Sequence, residues 1–323
     1  MNCGTRPLLA AALLLGCAGD AGDASTDASA TTGSATTDAS AGTEATTTDA
    51  TGATETAGTS GTEGATEGSS ETETETTGTP ASETVVWIGA HPDDELYAAP
   101  WLADRCLERA ASCKLVVLTF GESGTCKDPD GCAPDLVTVR KAELAGSAAI
   151  FGAAVTHLDL GDGTAGSPAG VLANWSAVAG STDALVEQIA GELAQADRLV
   201  TFDPRHGESC HADHRAAGAV AVAAAELAGL APDHVHLVAS RLIVEPAVAE
   251  DPAVYAFDAS VVLTATAAPA WATLVDVLTN YASQFTADEV AMIDAVPPAQ
   301  QRTWLVDLDQ VTADDPLYAG LCP

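Results

Sequence analysis

From residue 84 onward, short apolar runs alternate with longer stretches whose apolar positions recur every three or four residues. The runs TVVWIGA (84–90), KLVVLTF (114–120), AVTHLDL (154–160), DRLVTFD (197–203) and HVHLVASRLIV (234–244) are rich in β-branched residues and read as strands. Between them, 96–111, 136–152, 181–196 and 211–230 read as helices. Gly152 closes the second of these, and Ser181-Thr182-Asp183 opens the third with capping residues. Segments 121–135 and 161–180 are Gly-rich and read as long loops. The last 80 residues read as further strand with helices near 270–285 and 287–294. Apolar strands alternating with helices predict an α/β, Rossmann-like fold: a mainly parallel sheet with helices on both faces. In such sheets ligands bind outside the carboxyl ends of the strands. Residues 85–323 are enough for one domain with a sizeable core.

The pattern before residue 84 is different in kind. Residues 8–16 form a nine-residue apolar run behind Arg6. A membrane-spanning helix needs ~20 such residues, so the run fits a secretory signal. Leu14-Leu15-Gly16-Cys17 resembles the lipobox of bacterial lipoproteins, in which the cysteine is lipidated and becomes the mature N-terminus. That resemblance implies a signal peptide over 1–16 and a lipid anchor on Cys17. Ala18 in place of an aspartate then implies an outer-membrane address. Residues 18–84 are almost wholly Ala, Thr, Ser, Gly, Asp and Glu and cannot bury enough apolar area to offset chain entropy. With Cys17 they read as a disordered tether, 17–84.

Charge sharpens this division. The formal net charge is −34. Residues 18–84 hold 13 acids and no Lys or Arg; residues 85–323 hold 33 acids and 11 bases. So acidic a surface repels nucleic acid and anionic lipid, which excludes both as partners apart from the anchor. Beyond Cys3 and Cys17 six cysteines remain, an even number that suits disulfides in an exported chain. Short loops favour Cys106–Cys113 and Cys126–Cys132, leaving Cys210–Cys322.

Two charged clusters follow strand ends: HPDDE (91–95) and HADH (211–214). Pro92 holds His91 extended and turns the chain out of the first strand. Adjacent carboxylates in a crevice repel each other unless a cation stands between them. On a first helical turn His211 and His214 lie one above the other. Two histidines, a carboxylate and an open position suit a catalytic zinc, and a spare carboxylate can take a proton from water. Each motif alone also fits a plain structural role, HPDDE as an acidic helix start. Their coincidence at two strand ends points to a metal site.

AHPDDE (90–95) with HADHRAAG (211–218) resembles the PIG-L/LmbE-like N-acetylglucosaminyl deacetylase family, zinc-dependent de-N-acetylases with a Rossmann-like fold. Softer matches are VRKAEL…FG (139–152), HLDLGDG (157–163) and YASQF (281–285). The resemblance implies His91, Asp94 and His214 as Zn2+ ligands and Asp93 as general base. It also implies His211 as acid and oxyanion stabiliser oriented by Asp213, with Arg140 and Asp162 on the substrate. The implied reaction removes an N-acetyl group from an amino-sugar-type molecule, giving acetate and a free amine. Glu95 reads as a helix-start acid and His206 as a rim residue. Two rivals are a surface glycan-binding lipoprotein without catalysis and a serine hydrolase using Ser123 of FGESGT (120–125). The latter lacks the last glycine of a nucleophile elbow.

Overall fold

The computed structural model describes residues 83–239, 251–311 and 322. The leader and tether, and the far end of the 234–244 run, lie outside the described residues. The strands are β1 (Thr84–Gly89), β2 (Ser112–Val117), β3 (Ala154–His157), β4 (Arg198–Phe202), β5 (Val235–Val238), β6 (Val254–Asp258), β7 (Val262–Leu263), β8 (Ala268–Pro269) and β9 (Arg302–Asp307). Seven of them form one sheet in the order β3-β2-β1-β4-β5-β9-β6, and β7 and β8 pair separately. Strands β1 to β5 are parallel. Strand β9 is antiparallel to both β5 and β6. The Rossmann-like, mainly parallel sheet is as the alternating pattern predicts, with an antiparallel edge added.

The helices are α1 (Ala99–Ala103), α2 (Leu136–Phe151), α3 (Pro168–Ala179), α4 (Thr182–Glu192), the short α5 (Gly207–Cys210), α6 (Ala212–Ala228), α7 (Ala270–Asn280) and α8 (Ala287–Asp294). The sheet is apolar on both faces because alternate strand residues point opposite ways. Val85, Trp87, Leu115, Val117, Val200 and Phe202 pack with α1, α2, α7 and α8. Val86, Ile88, Val116, Leu118 and Leu199 pack with α3, α4 and α6 on the other face. Each fully buried aliphatic there contributes about 1.5–3 kcal/mol.

Two expectations need correction. The helical stretch 96–111 is three short pieces: a 3-10 turn over Asp94–Ala98, then α1, then a π turn over Asp104–Glu108. The expected loop 161–180 contains α3, started by Ser167, whose side chain accepts from Gly170 N, and by Pro168 in the first turn. Val171 and Trp175, four apart, are both fully buried. The three disulfides are Cys106–Cys113, Cys126–Cys132 and Cys210–Cys322, the pairing that loop length favours. Among the described residues no helix is long and apolar enough to cross a membrane.

Candidate metal centre

The strand order reverses between β1 and β4, which are hydrogen-bonded neighbours. Crevices open at such a reversal, beyond the carboxyl ends of the strands. HPDDE leaves β1 there and HADH follows β4. A Cβ on Gly89 would sit 2.9 Å from Asp94 Cβ and 2.8 Å from Trp87 Nε1. Glycine at that point lets Asp94 fold back onto the strand. Asp94 Oδ2 accepts from Ala90 N at 2.7 Å and His91 N at 2.8 Å. It also lies 3.6 Å from His91 Nδ1, while Asp94 Oδ1 lies 3.1 Å from His214 Nε2. Burial alone would raise the Asp94 carboxyl, but the His214 and His91 imidazoles hold it well below the usual range.

Asp93 is reached through a backbone φ of 103°, a conformation costing about 1–3 kcal/mol in a residue other than glycine. Its Oδ1 is 2.8 Å from Arg140 Nη2. Burial pushes the Asp93 carboxyl up to about 6, against the pull of the Arg140 guanidinium. Arg140 is 3% exposed and also donates to Gly121 O and Pro92 O. It therefore holds Asp93 rather than reaching out from a pocket wall. Its two Nη atoms are engaged by Asp93 and two carbonyls, while its buried Nε makes no hydrogen bond.

Helix α6 brings the second cluster to the first. A Cβ on Gly218 would lie 2.2 Å from Phe202 O, so this glycine sets how closely α6 approaches β4. One turn earlier, His214 stacks on Phe202 with ring centroids 4.2 Å apart and planes at 2°. His214 Nδ1 donates to Gly207 O at 3.0 Å. Its buried Nε2 makes no hydrogen bond and faces Asp94 Oδ1 at 3.1 Å. His211 caps α6, its Nδ1 accepting from Asp213 N at 3.3 Å. One donor atom from each of His91, His211 and His214 lies within 4.8 Å of the others, and the same holds for His91, Asp162 and Asp213.

Asp213 and Asp162 are placed differently from the expectation. Residues two apart do not face each other on a helix, so Asp213 reaches the His211 ring through its backbone N–H and not through its carboxylate. Its Oδ2 lies 3.3 Å from His91 Nε2 and accepts from Gly163 N at 3.0 Å. Asp162 Oδ1 is 2.9 Å from His91 Nε2, and its Oδ2 accepts from Ser123 N at 2.8 Å. Both oxygens of the expected substrate-side acid are thus engaged within the protein. Ser123 Oγ donates to Asp162 O at 2.9 Å, not to an imidazole, which removes the activating base that a serine nucleophile needs.

Residues 86–225 match the family model PIG-L, described as GlcNAc-PI de-N-acetylase. This segment is a PIG-L domain. No curated protein matches the chain. Three solved structures resemble it in fold. The N,N′-diacetylchitobiose deacetylase of Pyrococcus horikoshii is 17% identical, with a TM-score of 0.49 over 75% of this chain and 87% of that one. A conserved protein of Thermus thermophilus is 20% identical, with a TM-score of 0.47 over 72% and 97%. The 4-carboxy-2-hydroxymuconate hydratase GalB of Pseudomonas putida is 17% identical, with a TM-score of 0.46 over 65% and 82%.

The side chains of the PIG-L domain fit a divalent metal. Two imidazoles and a carboxylate are a normal donor set. With Nδ1 of His214 committed to a carbonyl, the ring's lone pair sits on Nε2, a buried atom without a hydrogen-bond partner. Residues outside the matched segment complete the surroundings. Glu95 stands in the first turn of the 3-10 segment, as a helix-start acid does, and is fully buried: it accepts from Ser147 Oγ at 2.5 Å and Tyr281 Oη at 2.7 Å. Burial pushes its carboxyl up to about 7. Glu143 accepts from Ser283 N and Oγ at 2.8 and 2.6 Å. The YASQF stretch is the sequence signal for both ties. His206 is 4% exposed, with its Nδ1 accepting from Glu208 N, so it is a buried turn residue rather than a rim residue.

Proposed function

We propose that the PIG-L domain is a metal-dependent N-deacetylase acting on an N-acetylated amino-sugar-type substrate, with zinc as the metal and acetate and a free amine as products. The observation that carries this reading is the convergence of His91, Asp94 and His214 in the β1/β4 crevice, with Asp93 adjoining them. His91, Asp94 and His214 would hold the ion, which when bound polarises a carbonyl and makes water more acidic. Asp93 accepts the proton of the attacking water as its oxygen bonds to the acetyl carbon. Arg140 keeps the Asp93 carboxylate turned toward the crevice. His211 presents an Nε2–H, because its Nδ1 already accepts from the helix backbone. That N–H can donate to the oxygen on which negative charge develops. As the carbon–nitrogen bond breaks, the proton on Asp93 passes to the amine nitrogen.

The test is amine release from N-acetylglucosamine and N,N′-diacetylchitobiose by the zinc-loaded chain. Asp93→Asn lowers turnover by ~10²–10⁴-fold with zinc content unchanged. Undiminished turnover in that variant overturns the base assignment. No amine from the wild-type chain on either sugar overturns the reading for this substrate class. The envelope address is a further proposal: export through residues 1–16 and lipidation of Cys17 place the domain on the outer membrane at the end of its tether. Palmitate labelling that is lost in Cys17→Ser supports it, and labelling that survives overturns it.

A further inference from the structure

His91 is held from both of its ring nitrogens. Nδ1 faces Asp94 at 3.6 Å. Nε2 faces two carboxylates, Asp162 at 2.9 Å and Asp213 at 3.3 Å. Neither carboxylate comes from the segment that carries His91. Asp162 stands on the loop after β3, and Asp213 on the first turn of α6. Both are deeply placed, with side chains 7% and 1% exposed.

The two carboxylates are themselves fixed by a small clip of backbone. Ser123 N donates to Asp162 Oδ2 and Ser123 Oγ to Asp162 O. Glu122 Oε1 accepts from Asp162 N at 2.8 Å. The next residue, Gly163, has a φ of 62°, and its N–H donates to Asp213 Oδ2. A Cβ on Gly163 would lie 2.8 Å from Ser123 Oγ. FGESGT and HLDLGDG therefore meet, and their joint product is a pair of oxygens aimed at one imidazole nitrogen.

We propose that Asp162 and Asp213 are positioning residues for the metal: together they hold the Nε2–H of His91 and thereby present Nδ1 as the ligand atom. A metal-binding histidine is commonly oriented by a carboxylate on its other nitrogen, and losing that partner costs ~10–100-fold in metal affinity. Here two carboxylates from different elements share the task, which couples the β3 loop and α6 to the HPDDE turn. Neither residue is then a substrate contact, and neither acts through His211. The proposal rests on the reading of His91, Asp94 and His214 as metal ligands, but not on the identity of the substrate.

The experiment is Zn2+ affinity of the full chain, measured by competition with a chromogenic chelator, without substrate. Asp162→Ala and Asp213→Ala each weaken zinc by ~10–100-fold. Asp213→Asn keeps an oxygen for both His91 and Gly163 N, so it loses less than Asp213→Ala. Ser123→Ala loosens the clip without touching His91 and weakens zinc less than either alanine variant of the two aspartates. Co2+ in place of Zn2+ gives altered visible bands in the same variants. Wild-type affinity in both Asp162→Ala and Asp213→Ala overturns the proposal, whatever happens to turnover. Weakened zinc in a chain that releases no amine upholds the proposal while the deacetylase reading falls. Should Asp162→Ala not fold, Asp213→Asn against Asp213→Ala decides: equal losses overturn the assignment, and a graded loss upholds it.

Discussion

The sheet carries a charged network at each end, and the two are built on opposite principles. At the amino ends of the parallel strands, Arg198 at the start of β4 pairs with Glu83 and reaches His236 Nε2 at 3.1 Å. His236 Nδ1 lies 2.6 Å from Asp307, Tyr255 Oη 3.1 Å from the same nitrogen, and Arg105 3.4 Å from Glu83. Two arginines, two carboxylates and a histidine answer one another, and several are a fifth or more exposed. At the carboxyl ends, Asp93, Asp94, Asp162 and Asp213 crowd around His91 and His214, with Arg140 the one guanidinium bonded to any of these carboxylates among the described contacts. His214 Nε2 and Asp213 Oδ1 are buried there without hydrogen-bond partners. The amino-end network pairs opposite charges with one another and leaves Arg105 Nε without a hydrogen bond. The other keeps surplus negative charge and open donor atoms in a buried place, an arrangement that needs a cation to complete it.

The contrast can be broken from its strong end first. Removing the metal with a chelator abolishes turnover and lowers the melting temperature of the wild-type chain. Zinc at ~100 times its dissociation constant contributes ~2.7 kcal/mol, so the shift is several degrees. His214→Ala melts at one temperature with or without chelator. A wild-type melt indifferent to chelator would show that the carboxyl-end cluster is complete without a cation.

Next in size is Arg198→Ala. It leaves Glu83 to Arg105 alone and takes a donor from His236, costing ~1–3 kcal/mol of stability with zinc affinity unchanged. Equal loss of zinc affinity would mean that the two ends are not independent. Smaller still is the pH response of the amino-end network. Burial, ahead of the pull from Asp307, holds the His236 pKa below its ordinary 6.5. The folded chain therefore binds this proton less readily than the unfolded chain. Its contribution is full above 6.5 and is lost as pH falls below that value toward the depressed folded pKa. Denaturant midpoints measured downward from about pH 7 should fall less steeply in His236→Asn than in the wild type; identical slopes would remove His236 from the account.

Legibility in the sequence follows the same line. The strands flanking the site are plain because each is a short apolar run ended by charge, and the caps at Ser181 and Gly152 mark helix limits. Helix α3 is hidden because Gly161, Gly163, Gly166 and Gly170 make its approach look like a loop, although Ser167-Pro168 is a start signal. The two clusters that meet in the crevice are legible from HPDDE and HADH. Their partners are not. That Asp213 turns to His91 depends on where α6 lies, and this is set by the contact of Gly218 with Phe202, a fact of packing rather than of spacing. The burial of Glu95 is hidden for a similar reason: its partner Tyr281 lies 186 residues away.

The Cys210–Cys322 bridge has a consequence for how the site matures. The bridge joins the residue just before His211 to a point 112 residues later, and Cys322 Sγ lies 3.7 Å from His206 O. The residues proposed to hold the metal are all synthesised by position 214, yet the fastening beside them has to wait for Cys322. The segment by which the family is recognised, 86–225, thus holds Cys210 but not the cysteine it is bridged to. In an oxidising compartment this edge of the crevice is fastened by a covalent event. A chain cut back to the recognisable segment would carry every reactive side chain and lack the latch.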